Sequence, residues 1–114
     1  MSFAKDDLTA VPTTGPFIVE VTIVARNEDS AKEIIRYITE ISKVALSDKE
    51  PGTTTYRLSR GVHDPSYLNI YEAYTGLEAF EIHRQNPVLK EFLAAVPHLA
   101  SEVFPKFYRD LWRQ

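Results

Sequence analysis

Residues 50–92 read EPGTTTYRLSRGVHDPSYLNIYEAYTGLEAFEIHRQNPVLKEF, and the order of strand, turn and helix signals in this stretch decides the fold. Thr53 to Arg60 is rich in threonine and tyrosine, whose β-branched and aromatic side chains pack well on a pleated surface, so it reads as a strand. Glu50-Pro51-Gly52 ends whatever precedes it, because proline lacks a donor and glycine tolerates turn conformations. Gly61 to Ser66 is a turn-forming run of six residues, a hairpin-length connection to a second strand from Tyr67 to Tyr74, and it predicts an antiparallel pair. Thr75 stands three residues before Glu78, the spacing of a capping box, and predicts a helix through Ala79, Phe80, Ile82 and His83. Asn86-Pro87 predicts another helix start, with asparagine as cap. Val88, Leu89, Phe92, Leu93 and Val96 then recur at helical spacing until Pro97, which is expected to stop the run.

Working outward, Phe17 to Ala25 alternates as a strand, with Phe17, Val19, Val21 and Ile23 on one face and a mixed set, Ile18, Glu20, Thr22 and Val24, on the other. Ser30 and Glu33 form another capping-box pattern, followed by Ala31, Ile34, Ile35, Ile38, Ile41, Ser42 and Ala45 on one helical face. Lys32, Arg36, Glu40 and Lys43 mark the solvated side of that helix. His98 to Ser101 reads as a connection and Val103 to Trp112 as a final strand, which Pro105 confines to a sheet edge or to a start at Lys106. The order strand, helix, strand, strand, helix, strand is that of a ferredoxin-like α+β domain: a split βαβ sandwich with a four-stranded antiparallel sheet. Helices cover only one face of such a sheet, so the other, carrying Tyr, Thr and aliphatic residues, is expected to be covered by a second copy in a symmetric homodimer. Met1 to Pro16, polar and without periodicity, is expected to be a flexible N-terminal tail, leaving 17–114 as one domain.

With 114 residues the chain holds one domain and one core. Its net charge of −3 gives no basic surface for a nucleic-acid partner. It has no cysteine, which excludes disulfides, thiolate metal sites and a cysteine nucleophile. No segment approaches membrane-spanning length and the first residues carry acidic groups where a secretory signal needs an apolar run, so the protein is expected to be soluble, cytoplasmic and without a membrane partner. Only four glycines occur and none lie close together, so no phosphate loop supports a nucleotide cofactor.

His83 is the leading candidate for chemistry. It follows Ala79 and Phe80 at helical spacing, which puts it near the apolar face, where a neutral imidazole can take a proton from a phenol or an acidic C–H. The structural reading, a helix-end histidine hydrogen-bonded to structure, is weighed ahead of this one. Tyr56, Tyr67, Tyr71 and Tyr74 offer apolar bodies with polar tips suited to an aromatic substrate, or to core and dimer interface. Tyr67, Asn69 and Tyr71 share one strand face while Leu68, Ile70, Glu72 and Tyr74 share the other, so only one set can line a given pocket. Glu72 among apolar neighbours needs a partner, and an ion pair with Arg57, Arg60 or Arg109 is the expected one. His63 and His98 are expected to be exposed, and the three histidines lack metal-ligand spacing, so no metal site is expected.

Glu50-Pro51-Gly52, Tyr56, Asp64-Pro65, Tyr71-Glu72-x-Tyr74, Glu78-Ala79-x-x-x-His83, Pro87 and Phe92, taken in order, resemble the antibiotic biosynthesis monooxygenase domain family of dimeric α+β barrels. The resemblance spans roughly Phe17 to Trp112; one departure is Tyr74, where family members often carry tryptophan. It implies a dimer with a pocket between sheet and helices in each subunit. It also implies a monooxygenase that oxidises a small aromatic or otherwise oxidisable metabolite with molecular oxygen and no cofactor, in secondary metabolism. On this reading His83 is the acid/base, Tyr56, Asn69, Tyr71 and Tyr74 bind the substrate, and Trp112 closes one pocket wall. The alternatives are a non-catalytic ligand-binding or stress-associated dimer of the same fold, and a haem-binding or haem-degrading protein with His83 or His98 as axial ligand.

Overall fold

A computed structural model describes residues 6–111 and gives the order β1 (Phe17–Ala25), α1 (Glu28–Ala45), β2 (Thr53–Arg60), β3 (Tyr67–Tyr74), α2 (Leu77–His83), α3 (Pro87–Leu99) and β4 (Ala100–Tyr108). The four strands form one sheet in the order β2-β3-β1-β4, with every neighbouring pair antiparallel. This is the expected ferredoxin-like α+β domain. The β2–β3 hairpin has the expected bounds, and its turn is held by Asp64, whose Oδ1 accepts from the Ser66 backbone and hydroxyl at 3.1 and 2.6 Å.

Phe17, Val19 and Ile23 of β1, with Leu68, Ile70, Glu72 and Tyr74 of β3, turn toward the helices and are buried. Against them α1 sets Ala31, Ile34, Ile38, Ile41 and Ala45, the stripe expected from its periodicity, and α3 adds Phe92. A second, smaller cluster of Phe17, Val19, Tyr74, Ala79 and Phe80 lies under α2. Ile18, Glu20, Thr22, Asn69, Tyr71, Phe104 and Lys106 fall on the opposite sheet face, which no helix among the described residues covers.

The helix ends depart from expectation in three places. The cap of α1 is Asn27, whose side chain accepts from Ser30 N at 2.8 Å; Ser30 is buried in the first turn of the helix, and Glu33 pairs with Arg36 at 2.9 Å instead of reaching back. Thr75 makes no cap: α2 begins after Gly76 with no side-chain cap bond. Asn86 does cap α3, with Pro87 in its first turn. Pro97, however, lies inside α3, which runs on to Leu99 and passes directly into β4 at Ala100 without the expected connection. The proline deprives only the Leu93 carbonyl of a donor, and Leu93 is 56% exposed, so water can take that bond.

Strand β4 therefore starts earlier than expected, and it occupies a sheet edge, as Pro105 required. The Asp6 backbone N–H donates to the Pro105 carbonyl at 2.8 Å on the side away from β1, and the Phe107 N–H donates to Asp6 Oδ2 at 2.7 Å. The N–H that proline lacks would point to this outer side too, so no ladder bond is lost to β1. Of the segment 1–16, the described residues 6–16 also include a short 3-10 turn, Leu8–Ala10, capped by Asp7, and Val11 packed on the second cluster. No helix among the described residues is long and apolar enough to cross a membrane.

Candidate active site

The last residue of α2 is His83, and the turn of that short helix carries its ring inward until only 2% of it is exposed. It lies between the two core clusters, with the Tyr56 ring 5.2 Å away on one side and the Tyr74 ring 5.6 Å away on the other. Its Nδ1 is 2.7 Å from Glu50 Oε1, and its Nε2 is 3.9 Å from Glu72 Oε1. The Thr53 hydroxyl donates to the same Glu50 oxygen at 3.2 Å, so that oxygen acts as an acceptor and Nδ1 is the donor to it. The neutral ring then carries its lone pair on Nε2, facing Glu72.

Glu50 reaches this position because the Glu-Pro-Gly turn is pressed against the start of α2. Thr75 N donates to the Gly52 carbonyl at 2.9 Å, and a Cβ on Gly52 would fall 2.3 Å from the Ala79 Cβ, a space only glycine fits. Glu50 Oε2 is buried with no hydrogen-bond partner among the described residues, as is Asn86 Nδ2 just beyond the end of α2. Glu72 projects from β3, where its Oε1 accepts from the Tyr74 hydroxyl at 2.5 Å.

Burial governs the charges. It pushes Glu72 up to about 7, against the Tyr74 hydrogen bond, which favours the carboxylate, and with the help of the Glu50 charge. Burial also holds His83 below its ordinary value, with Glu50 opposing, so the ring is neutral near pH 7. The Tyr74 phenol is driven far up, first by burial and then by the Glu72 charge, and Tyr56 well up by burial and by both glutamates. Both phenols stay protonated.

Of the residues singled out in the sequence, His83, Tyr56 and Tyr74 come together in this cluster, while Asn69 and Tyr71 lie on the opposite sheet face. There Asn69 donates to Glu20 Oε1 at 3.1 Å and accepts from Thr22 at 3.3 Å, beside a depression of about 580 Å³ lined by Glu20, Thr55, Arg57, Ser59, Asn69 and Tyr71 among others. Trp112 lies outside the described residues. The expected Glu72–arginine pair does not form: Arg57 is on the other face, Arg60 forks onto Glu28 at 3.1 Å, and Arg109 donates to the Pro16 carbonyl. His63 and His98 are exposed, as expected. Glu50 was missed as a site residue, although the Glu-Pro-Gly motif was its signal. Among the described residues no three His, Cys, Asp or Glu side chains converge as metal ligands.

A four-stranded antiparallel sheet covered by helices on one face places the chain in the class of ferredoxin-like α+β proteins. Residues 16–95 match the antibiotic biosynthesis monooxygenase family, and the chain belongs to it. No curated protein matches the sequence. Among solved structures, PA3566 from Pseudomonas aeruginosa is similar with a TM-score of 0.74 at 21% identity, over 87% of this chain and 98% of that one. Rv0793 from Mycobacterium tuberculosis gives 0.76 at 20% identity, over 86% and 97% of the two chains. A protein from Nitrosomonas europaea named for antibiotic biosynthesis monooxygenase gives 0.76 at 16% identity, over 89% and 96%. At these identities the likeness shows the fold.

Proposed function

We propose that the protein is a cofactor-independent monooxygenase in which His83 takes a proton from a small, oxidisable aromatic substrate that then reacts with molecular oxygen. One observation carries the reading: Glu50 occupies Nδ1 of a buried, neutral histidine, which leaves Nε2 as a base of fixed tautomer and orientation between two tyrosine rings. For a substrate with an acidic CH2 beside an aromatic ketone, Nε2 removes one proton and the carbanion is oxidised by O2, forming a C–O bond and a peroxide. Loss of the second C–H proton with cleavage of the O–O bond gives the new carbonyl and one water. Two hydrogens leave the carbon, one oxygen atom enters it and the other becomes water, so the step needs no further reductant.

Every side chain of the cluster is buried, so a substrate reaches Nε2 when side chains around it move. Tyr56 and Tyr74 then flank the substrate ring. Asn69 and Tyr71 act on the other sheet face, in a homodimer whose two open faces meet and whose residues there, polar at the centre with Ile18, Tyr67, Phe104 and Tyr108 around them, are covered. The same burial favours a second reading, a ligand-binding dimer in which the cluster only shapes the core.

Isotope labelling tests the reading. Metal-free protein is incubated under 18O2 with a panel of phenols, anthrones and small unsaturated acids. One labelled oxygen in the product and one in water supports the monooxygenase; absence of label from every product while ligands still bind supports the binding dimer.

A further inference from the structure

We propose that Glu72 is the proton store of the buried cluster, receiving from His83 Nε2 the proton taken from the substrate and returning it to the peroxide. The inference rests on the monooxygenase reading and deepens it. Nδ1 is committed to Glu50 at 2.7 Å, so protons enter and leave the ring only at Nε2. Among the described residues the carboxyl facing Nε2 is that of Glu72, at 3.9 Å, one small side-chain adjustment beyond hydrogen-bond length. Both groups are nearly sealed from solvent, at 2% and 6% exposure, so a proton lost to Nε2 needs an internal acceptor if the base is to be reset while substrate is bound.

Tyr74 makes Glu72 suitable. Its hydroxyl donates to Glu72 Oε1 and holds its own proton too firmly to compete, so it steadies the charged carboxylate without taking part in the transfer. Burial raises Glu72 and the Tyr74 bond restrains the rise, which leaves it near neutrality and able both to accept and to give a proton. Among the described residues the other titratable groups facing the pair are Glu50 from the turn before β2 and Tyr56 from β2; on β1 the apolar Val19 stands opposite Glu72.

The protons balance. Substrate C–H and neutral His83 give the carbanion and imidazolium; imidazolium and the Glu72 carboxylate give neutral His83 and the Glu72 acid. After oxygen adds, the peroxide anion and the Glu72 acid give the hydroperoxide and the carboxylate, and both residues are back in their starting states.

The test needs no substrate. In the full chain with 15N-labelled histidine, the His83 ring, assigned by comparison with His83→Ala, is followed by NMR from pH 5 to 9 in the parent, Glu72→Gln and Tyr74→Phe. The proposal expects a step at Nε2 near the Glu72 transition in the parent, its loss in Glu72→Gln, and its movement to higher pH in Tyr74→Phe, which removes the bond that favours the carboxylate. If Glu72→Gln does not fold, Tyr74→Phe decides alone. The same titration curve in the parent and in the folded variants overturns the proton store. Isotope labelling separates the two ideas: product label with an unchanged titration removes Glu72 alone, and an absent label with the expected titration removes the oxygenase reading and leaves the shared proton.

Discussion

Glu72 ties stability to pH at the scale of one residue. Its carboxyl is raised in the fold from 4.5 to about 7, so the fold prefers the protonated acid. The stabilisation this gives is complete below the unfolded value and is lost as pH rises through about 7. His83, held low by burial, works the other way, losing stability as pH falls below its ordinary value. In Glu72→Gln the first term disappears. Urea unfolding at a series of pH values should show the variant gaining on the parent by on the order of 3 kcal/mol between about pH 4 and pH 8. A constant difference would mean that Glu72 keeps an ordinary carboxyl. The position of His83, and the split of Tyr74 from Asn69 and Tyr71, were legible in the sequence because helical and strand periods assign faces. The partner of Glu72 was not, because a charge on an apolar face asks for any donor: Arg57 lies on the other face, and Arg60, on the same face, is held by Glu28.

The Glu-Pro-Gly turn and α2 work as one element, since the turn delivers Glu50 to the histidine at the end of the helix. Gly52→Ala puts a methyl 2.3 Å from the Ala79 Cβ and 2.8 Å from Thr75 Oγ1, which forces turn and helix apart. Thermal or denaturant unfolding should show a loss of about 1–3 kcal/mol, with oxygen uptake falling as Glu50 leaves His83. Helix caps give a paired comparison. Asn27→Ala should cost about 1 kcal/mol, because it removes the bond to Ser30 N, and Thr75→Ala less than about 0.5 kcal/mol, because Thr75 caps nothing. The hairpin was legible to the residue because turn residues flank both strands. Of the caps only Asn86 was: Asn27 and Ser30 are both good cap types three residues apart, and backbone geometry chooses between them. Pro97 misled because its penalty depends on whether the deprived carbonyl meets water.

At the scale of the molecule the proposed homodimer rests on the open sheet face. Phe104 of the edge strand stands beside Thr22 on that face, and the proposed homodimer would bury both. Light scattering at micromolar concentration should give twice the chain mass for the parent and the chain mass for Phe104→Glu, with the far-ultraviolet spectrum unchanged. A monomeric parent would contradict the dimer. The sheet order was legible from the element order, because split βαβ connections leave few topologies. The Glu50–His83 contact was not, because it joins residues 33 apart that only the folded turn brings together.

Oxygen uptake by metal-free parent and His83→Ala, measured side by side on the same substrates, is the most direct test of the central claim. A catalytic His83 predicts uptake in the parent and a loss of roughly 100-fold or more in the variant. Equal uptake by a folded His83→Ala, with the same spectrum and the same oligomeric mass, would return His83 to the core as a structural side chain.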